Sequence, residues 1–341
     1  MAHPQPTDRL NRPMGTLRIS VTDRCNLRCQ YCLPAEVFGP DFAFLPKAEI
    51  LRYEELTRLC SAFVDLGVRR IRITGGEPLL RRDLPVLVSQ LRQLHPNLNL
   101  SATTNAGRLR ELAAPLKEAG LDRVNVSMDA VDPEIASRLA GRSVDPQRTW
   151  KNVLLARDLG LSPKINTVLK RTVNRDQALP LARQCREAGI PLRFIEYMDV
   201  GRSNGWNLAE VVTGREVLDQ LAAHWPLEPV DEQAVQETAR RFRYSGSKAE
   251  VGFINSISEP FCRGCDRARI SAEGLLYTCL FAQTGVSLKN WLREEQLDDD
   301  TLQARLAALW GHRSDRYSEK RSGDTTGLAS ITRPEMWTVG G

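Results

Sequence analysis

The chain is short of histidine, of net charge and of long apolar runs, and each shortage excludes something. Four His in 341 residues leave little for an imidazole-rich metal centre. No run of about eighteen apolar residues occurs, so no membrane span is expected. The opening MAHPQPTDRLNRPMG lacks the apolar segment of a secretory leader, which points to a cytoplasmic protein. Lys and Arg number 47 against 42 Asp and Glu, a balance of +5 that is too mild for a nucleic-acid partner. In a reducing compartment the eight Cys read as ligands or core residues, not disulfides.

Six of the eight fall into two trios. Cys25, Cys29 and Cys32 follow C-x3-C-x2-C spacing directly after an alternating run, Leu17, Ile19 and Val21 against Arg18, Ser20 and Thr22, that reads as a strand. Thiolates are soft ligands, which leaves zinc, an iron–sulfur cluster or chance spacing. Structural zinc wants a fourth Cys or His, and none lies nearby in the chain. An iron–sulfur cube tolerates three and leaves one iron open to a small molecule, so the cluster ranks first.

Cys262, Cys265 and Cys279 form a second incomplete trio, C-x2-C-x13-C, within FCRGCDRARISAEGLLYTCLF. Alone it suits zinc and a cluster equally; two incomplete trios in one chain favour clusters. Cys60 and Cys185 stand singly in helical patterns and read as small buried hydrophobes. Arg267 and Arg269 alternate on an apparent strand beside the second trio, where paired guanidinium forks suit phosphate or a purine edge; a solvated strand face is the plain alternative. Arg18, Arg72 and Lys164 lie on or beside other strands. Cations turned into a barrel are costly unless an anion meets them, so their convergence implies a polyanionic substrate.

A strand–helix unit recurs six times up to residue 198, with strands expected near 16–22, 68–74, 98–104, 124–128, 164–169 and 192–198. Helices are expected over 48–66, 83–94, 109–119, from 133, over 149–159 and over 175–188. Such a chain builds an α/β parallel sheet, and periodicity does not separate a doubly wound sheet from a partial (βα)6 barrel of TIM type. Polar residues gather past the strand ends: Gly75-Gly76-Glu77, Thr103-Thr104-Asn105, Ser127, Asp129 and Asp199. The expected division is a loose arm over 1–15, the barrel over 16–225, a smaller α+β region with the second trio over 226–311, and a mobile linker and tail over 312–341.

The C-x3-C-x2-C motif with Tyr31 before its last Cys resembles the signature of the radical S-adenosylmethionine (SAM) enzymes. LRISVTDRCNLRCQYCLP, IRITGGEPLLRRD, VNVSMDAVDPE, KINTVL, RFIEYMDVGRSNGW, the second trio and the Gly-Gly end together resemble the GTP 3′,8-cyclase family of molybdenum-cofactor biosynthesis over nearly the whole chain. TTNA stands where TTNG is usual in that family. The resemblance implies the partial barrel and two 4Fe-4S clusters, on Cys25, Cys29 and Cys32 and on Cys262, Cys265 and Cys279. It implies SAM held near Tyr31, Gly76, Ser127 and Met198, and GTP at Arg18, Arg72, Thr103, Lys164, Arg267, Ala268 and Arg269. It assigns catalytic roles to Arg267, Arg269 and the terminal Gly340 and Gly341, which enter the cavity. The implied reaction begins with a 5′-deoxyadenosyl radical that takes H3′ of GTP; C3′ then joins C8 to give 3′,8-cyclo-7,8-dihydro-GTP. An external electron donor is implied, with cyclic pyranopterin monophosphate synthase receiving the product and a homodimer as a candidate assembly. The rival reading is a radical SAM enzyme that modifies a peptide and carries an auxiliary cluster.

Overall fold

The computed structural model describes residues 5–39, 41–230, 236–321 and 334–340. Six strands follow one another in space as in sequence: β1 (Thr16–Ser20), β2 (Arg70–Thr74), β3 (Asn99–Thr104), β4 (Arg123–Ser127), β5 (Ser162–Leu169) and β6 (Leu192–Glu196), each parallel to the next. A doubly wound sheet reverses its order at a switch point; this one does not, so every crossover lies on one face. That order makes a partial (βα)6 barrel, the distinction that periodicity could not draw.

The crossovers are α1 (Tyr53–Asp65), α2 (Leu84–Leu94), α3 (Leu109–Glu118), the pair α4 (Pro133–Ala140) and α5 (Pro146–Asp158), and α6 (Ala178–Ala188). Asp132 and Asp145 cap α4 and α5 by accepting from the first-turn N–H groups ahead of a proline, which fixes where these helices begin. The helix expected over 149–159 starts early, at Pro146, the one over 175–188 opens with a 3-10 turn before Ala178, and the one over 48–66 starts latest. Leu51 donates its N–H to Ala272 O, so the chain is extended there, and α1 begins after Glu55 has accepted the Arg52 N–H. Strand alternation does the rest: Leu17, Ile19, Ile71, Ile73, Val124 and Val126 are buried against the helices, and the residues between them turn inward.

The C-terminal region builds no sheet of its own among the described residues. After α7 (Gly214–Ala222) come β7 (Leu227–Pro229), β8 (Arg240–Tyr244) and β9 (Glu250–Ile254), and β9 extends the barrel parallel to β6. Residues 255–266 then cross to the opposite edge, where β10 (Arg267–Ile270) pairs parallel with β1, followed by β11 (Leu275–Tyr277) and β12 (Val286–Ser287). Helices α8 (Leu288–Arg293), α9 (Asp299–Gly311), α10 (Tyr317–Lys320) and α11 (Met336–Val339) complete the described chain.

Two expectations are corrected. The arm over 1–15 is not loose where described: Met14, Asp8 and Arg12 are buried, and Gln5 Nε2 donates to Met14 O and Gly67 O. The apolar and paired side chains in that short stretch outweigh its polar average. Within 312–341, residues 322–333 and 341 lie outside the described residues, while Arg313 is buried and α11 is packed. Among the described residues no helix is long and apolar enough to cross a membrane.

Candidate active site

The inward residues of three adjacent strands are arginines in register. Arg18 on β1 stands opposite Arg269 on β10 and Arg72 on β2, so three guanidinium groups share one row facing the barrel mouth. Neighbouring strands lie about 4.8 Å apart, and at such spacing like charges repel by on the order of 3 kcal/mol per pair in a part-buried setting. Burial, then Arg269 and Arg72, pushes Arg18 well below its ordinary range. Burial with Arg193 and Arg123 brings Arg72 down to about 9, and burial with Arg267 brings Arg269 to about 10. Arg18 Nε, Arg72 Nε, Thr103 Oγ1 and Asn166 Oδ1 are buried without a hydrogen-bond partner. Among the described residues no carboxylate pairs with these three cations, and buried cations with orphaned polar atoms beside them are costly until an anion meets them.

One cavity is lined by Cys25, Cys29, Cys32, Gly76, Glu77 and Ser127. Gly75 and Gly76 owe their identity to the cysteine loop: a Cβ on Gly75 would fall 2.5 Å from Thr22 O, and one on Gly76 2.4 Å from Arg24 O. Gly76 donates its N–H to Thr22 O and Glu77 to Arg24 O, so the loop leading to Cys25 is bonded to the turn after β2. The absence of a side chain at both positions is thus required by the approach of the protein's own backbone, while Gly76 still borders the cavity. Glu77 accepts from Thr104 Oγ1, Asn105 N and Leu79 N, and burial raises its carboxyl to about 6. Tyr31 donates its hydroxyl to Asp129 Oδ2 at 2.7 Å, and burial raises Asp129 to about 6.

Ala106, in the TTNA turn, is fully buried at φ +62°, a conformation glycine takes freely. The strain of about 1–2 kcal/mol is partly offset by burying a methyl group, worth about 0.8 kcal/mol.

A second cavity is lined by the Arg18, Arg72, Arg267 and Arg269 side chains and by Cys262, Cys265 and Cys279. Tyr31, Thr103, Ser127, Asp129 and Met336 line both cavities, so the two chambers are neighbours, with one cysteine trio on each. Met198 lines the second cavity, not the first. Ala268 alternates outward and its side chain belongs to the core. Lys164 lines neither cavity; it lies on β5 near Arg193 and Arg123, and burial with those cations drops its ammonium to about 7. Arg193 and Asn166 line the second cavity and were not singled out in the sequence, although Arg193 alternates with Leu192 and Phe194 as Arg18 does with its neighbours.

The sulfurs differ in setting. Burial lifts Cys25 and Cys279 to about 11. Burial would raise Cys265 too, but Arg267 and Arg313 outweigh it and hold that thiol at about 6. Other arginines hold structure: Arg69 donates to Val64 O at the end of α1, Arg70 pairs with Asp266, and Arg81 donates to Val21 O and Leu51 O.

The tail enters the second chamber. Gly340 O accepts from Arg269 Nη1 at 2.6 Å and Arg18 Nη1 at 3.2 Å, and Thr338 O accepts from Ser20 Oγ. Trp337 packs edge-on against Phe38, Phe42 and Phe44, and Glu335 accepts from Ser203 Oγ and the Arg202 N–H. Gly341 lies outside the described residues.

A barrel of this order with thiols on the β1 loop is the radical SAM arrangement, and the model of the Radical SAM superfamily matches residues 19–197. The model described as Molybdenum Cofactor Synthesis C matches residues 190–319. A GTP 3′,8-cyclase of Acidothermus cellulolyticus is 47% identical over 94% of this chain and 90% of its own length. One from Staphylococcus aureus strain JH9 is 40% identical over 99% of both. The chain belongs to the GTP 3′,8-cyclase family. Among solved structures, Streptococcus suis SuiB bound to SAM superposes with a TM-score of 0.60 at 18% identity, over 94% of this chain and 73% of that one. SuiB bound to its precursor peptide SuiA gives 0.61, over 94% and 68%. At that identity the likeness is one of fold.

A radical SAM chain carries an iron–sulfur cluster and SAM, and the first trio fits them. All three thiols are free, half-buried and on one cavity. Among the described residues no three His, Cys, Asp or Glu side chains gather around a single point as one zinc ion would require. A cube, in which each thiolate meets a different iron, asks for a wider spread.

Proposed function

We propose that the chain is a GTP 3′,8-cyclase that holds a second 4Fe-4S cluster on Cys262, Cys265 and Cys279 and takes GTP in the chamber between the trios. The observation that carries this reading is the in-register row Arg269, Arg18, Arg72, one buried and two half-buried cations that form no ion pair among the described residues. A triphosphate answers that row; a peptide does not need it. When bound, SAM and the N-terminal cluster supply the radical chemistry by which C3′ of GTP is joined to C8, giving 3′,8-cyclo-7,8-dihydro-GTP, with the electron coming from an external donor.

The chain's own residues then have positional tasks. Gly76, Ser127 and Tyr31 border the SAM side, and Tyr31 is held by Asp129 so that its ring stays where it lines both cavities. Arg18, Arg72, Arg267 and Arg269, with Thr103, fix the triphosphate and so the register of the ribose. Lys164, Arg123 and Arg193 extend the positive field below them. The Gly340 carbonyl orients two of the arginines, and α11 closes the chamber against water. Residues 16–225 thus serve SAM and part of the nucleotide site, and 226–311 with the tail complete the nucleotide side. The product passes to the synthase that forms cyclic pyranopterin monophosphate.

The test is an Arg267→Ala, Arg269→Ala double variant, assayed anaerobically for GTP-dependent formation of 5′-deoxyadenosine and for GTP binding. Both should fall at least 100-fold, with SAM binding and the N-terminal cluster intact. Normal GTP turnover by that variant overturns the reading.

A further inference from the structure

Cys262, Cys265 and the residue before Cys279 are held by one buried ionic group that reaches in from both ends of the chain. Asp8 Oδ2 accepts from Arg12 Nε at 2.7 Å and from Arg313 Nη1 at 3.0 Å; its side chain is fully buried, and those of the two arginines are 3% and 1% exposed. Arg12 Nη1 donates to Cys262 O at 2.7 Å and to Asp315 O at 2.9 Å. Arg313 donates from Nη1 to Cys265 O at 2.8 Å, from Nη2 to Cys265 Sγ at 3.2 Å, and from Nε to Thr278 O, next to Cys279, at 3.0 Å. Thr278 Oγ1 donates to Asp315 Oδ2, Trp310 Nε1 donates to Arg12 O, and the Arg313 guanidinium lies over the Trp310 ring.

Burying two guanidiniums on one carboxylate is expensive, and a fold seeking stability alone does as well with apolar side chains. What apolar groups cannot do is fix backbone carbonyls at or beside each sulfur ligand and set a guanidinium N–H on a thiolate, with Asp315 Oδ2 a second carboxylate 3.4 Å from Arg313 Nε. Hydrogen bonds to ligating sulfur and nearby charge are what set the potential of an iron–sulfur centre. We propose that Asp8, Arg12 and Arg313 are positioning residues for the second cluster. The two arginines hold its three cysteines in place, and Arg313, through its N–H to the Cys265 sulfur, raises the cluster's reduction potential. This rests on the two-cluster reading. It also gives the N-terminal segment a task, since the carboxylate that pairs both arginines comes from residue 8.

Iron and sulfide quantitation on the reconstituted wild-type protein comes first. About eight irons per chain are expected, and about four would remove the two-cluster reading before the clamp is tested. Arg313→Gln and Asp8→Asn are then compared with wild type by EPR-monitored redox titration and by the rate at which a chelator removes iron. In both variants iron should leave the second cluster about 10- to 100-fold faster than in wild type. The midpoint potential should move in opposite directions, downward when the Arg313 cation is lost and upward when the Asp8 anion is lost. A purely structural role gives no such pair of signs. The N-terminal cluster's signal with SAM should be unchanged in both. If Arg313→Gln does not fold, Arg313→Lys, which keeps the charge but gives up the fork and its bond to the Cys265 sulfur, should lower the potential and lose iron faster. Midpoints that are unmoved, or that shift the same way in both charge variants, overturn the proposal.

Discussion

Replacing Gly340 by alanine tests how the tail is seated. Gly340 sits at φ +68°, and a Cβ built there would lie 1.9 Å from Thr74 Oγ1. The left-handed conformation costs an L-residue about 1–2 kcal/mol. Thr74 must also swing away and give up the hydroxyl bond it donates to Ile19 O at 3.2 Å, worth about 1 kcal/mol. The docked tail should therefore lose about 2–3 kcal/mol relative to the undocked one, or about 30- to 140-fold in its equilibrium. Hydrogen exchange at the Thr338 amide, which is bonded to Glu335 O inside the docked turn, reads that equilibrium without reference to catalysis. Its opening constant should rise by that factor, and cyclisation should fall with it while both sets of iron remain. An exchange rate within threefold of wild type would refute the argument that Thr74 selects glycine.

Lys164 gives a pH prediction. Its pKa is depressed to about 7 by burial and by Arg193 and Arg123, so above pH 7 the folded chain holds a neutral amine where the unfolded chain is still protonated. Stability from this site is therefore lacking at pH 6 and is regained as pH rises from about 7 towards 10, on the order of a few kcal/mol in all; Lys164→Met should flatten that part of a Tm-against-pH curve. GTP binding near pH 7.5 should take up a proton through the same group, visible as a buffer-dependent heat in calorimetry. Glu196 is buried at the end of β6 and accepts from Gly214 N, Ile257 N, Ser258 N and Ser258 Oγ, tying the barrel to the connection that carries Cys262 and Cys265. Glu196→Ala strands four donors and should cost about 3 kcal/mol in denaturant unfolding; a loss under 1 kcal/mol would contradict that accounting.

The six strand–helix units were legible because alternation and the 3.6-residue period are local. Arg18, Arg72, Arg267 and Arg269 were legible for the same reason, each standing between apolar neighbours that had to face the helices. The pairing of β9 with β6 and β10 with β1 was not, since Arg18 and Arg269 meet across the length of the chain and leave no mark nearby in sequence. Residues 5–15 read as a loose arm on average composition, yet Asp8 and Arg12 find partners near residue 313 that no window could show. Lys164 carried the right charge on the right strand but sits below the cavities, because position along a strand sets depth as well as face. The Gly-Gly turn was recognised, but what fills the space beside it is the backbone of residues 22–24.

The attachment of β10 to β1 has a consequence for how the enzyme is made. A ribosome delivers β6 some 71 residues before β10 begins, which at about 5–20 residues per second is a wait on the order of 4–14 s. Until β9 is made both lips of the nascent barrel are unpaired, and the β1 lip, whose strand leads into the loop of Cys25, Cys29 and Cys32, stays so until β10 arrives. Only afterwards does β10 cover that edge, and only at the end of synthesis does α11 bring Met336 and Trp337 against the cavity of the first trio.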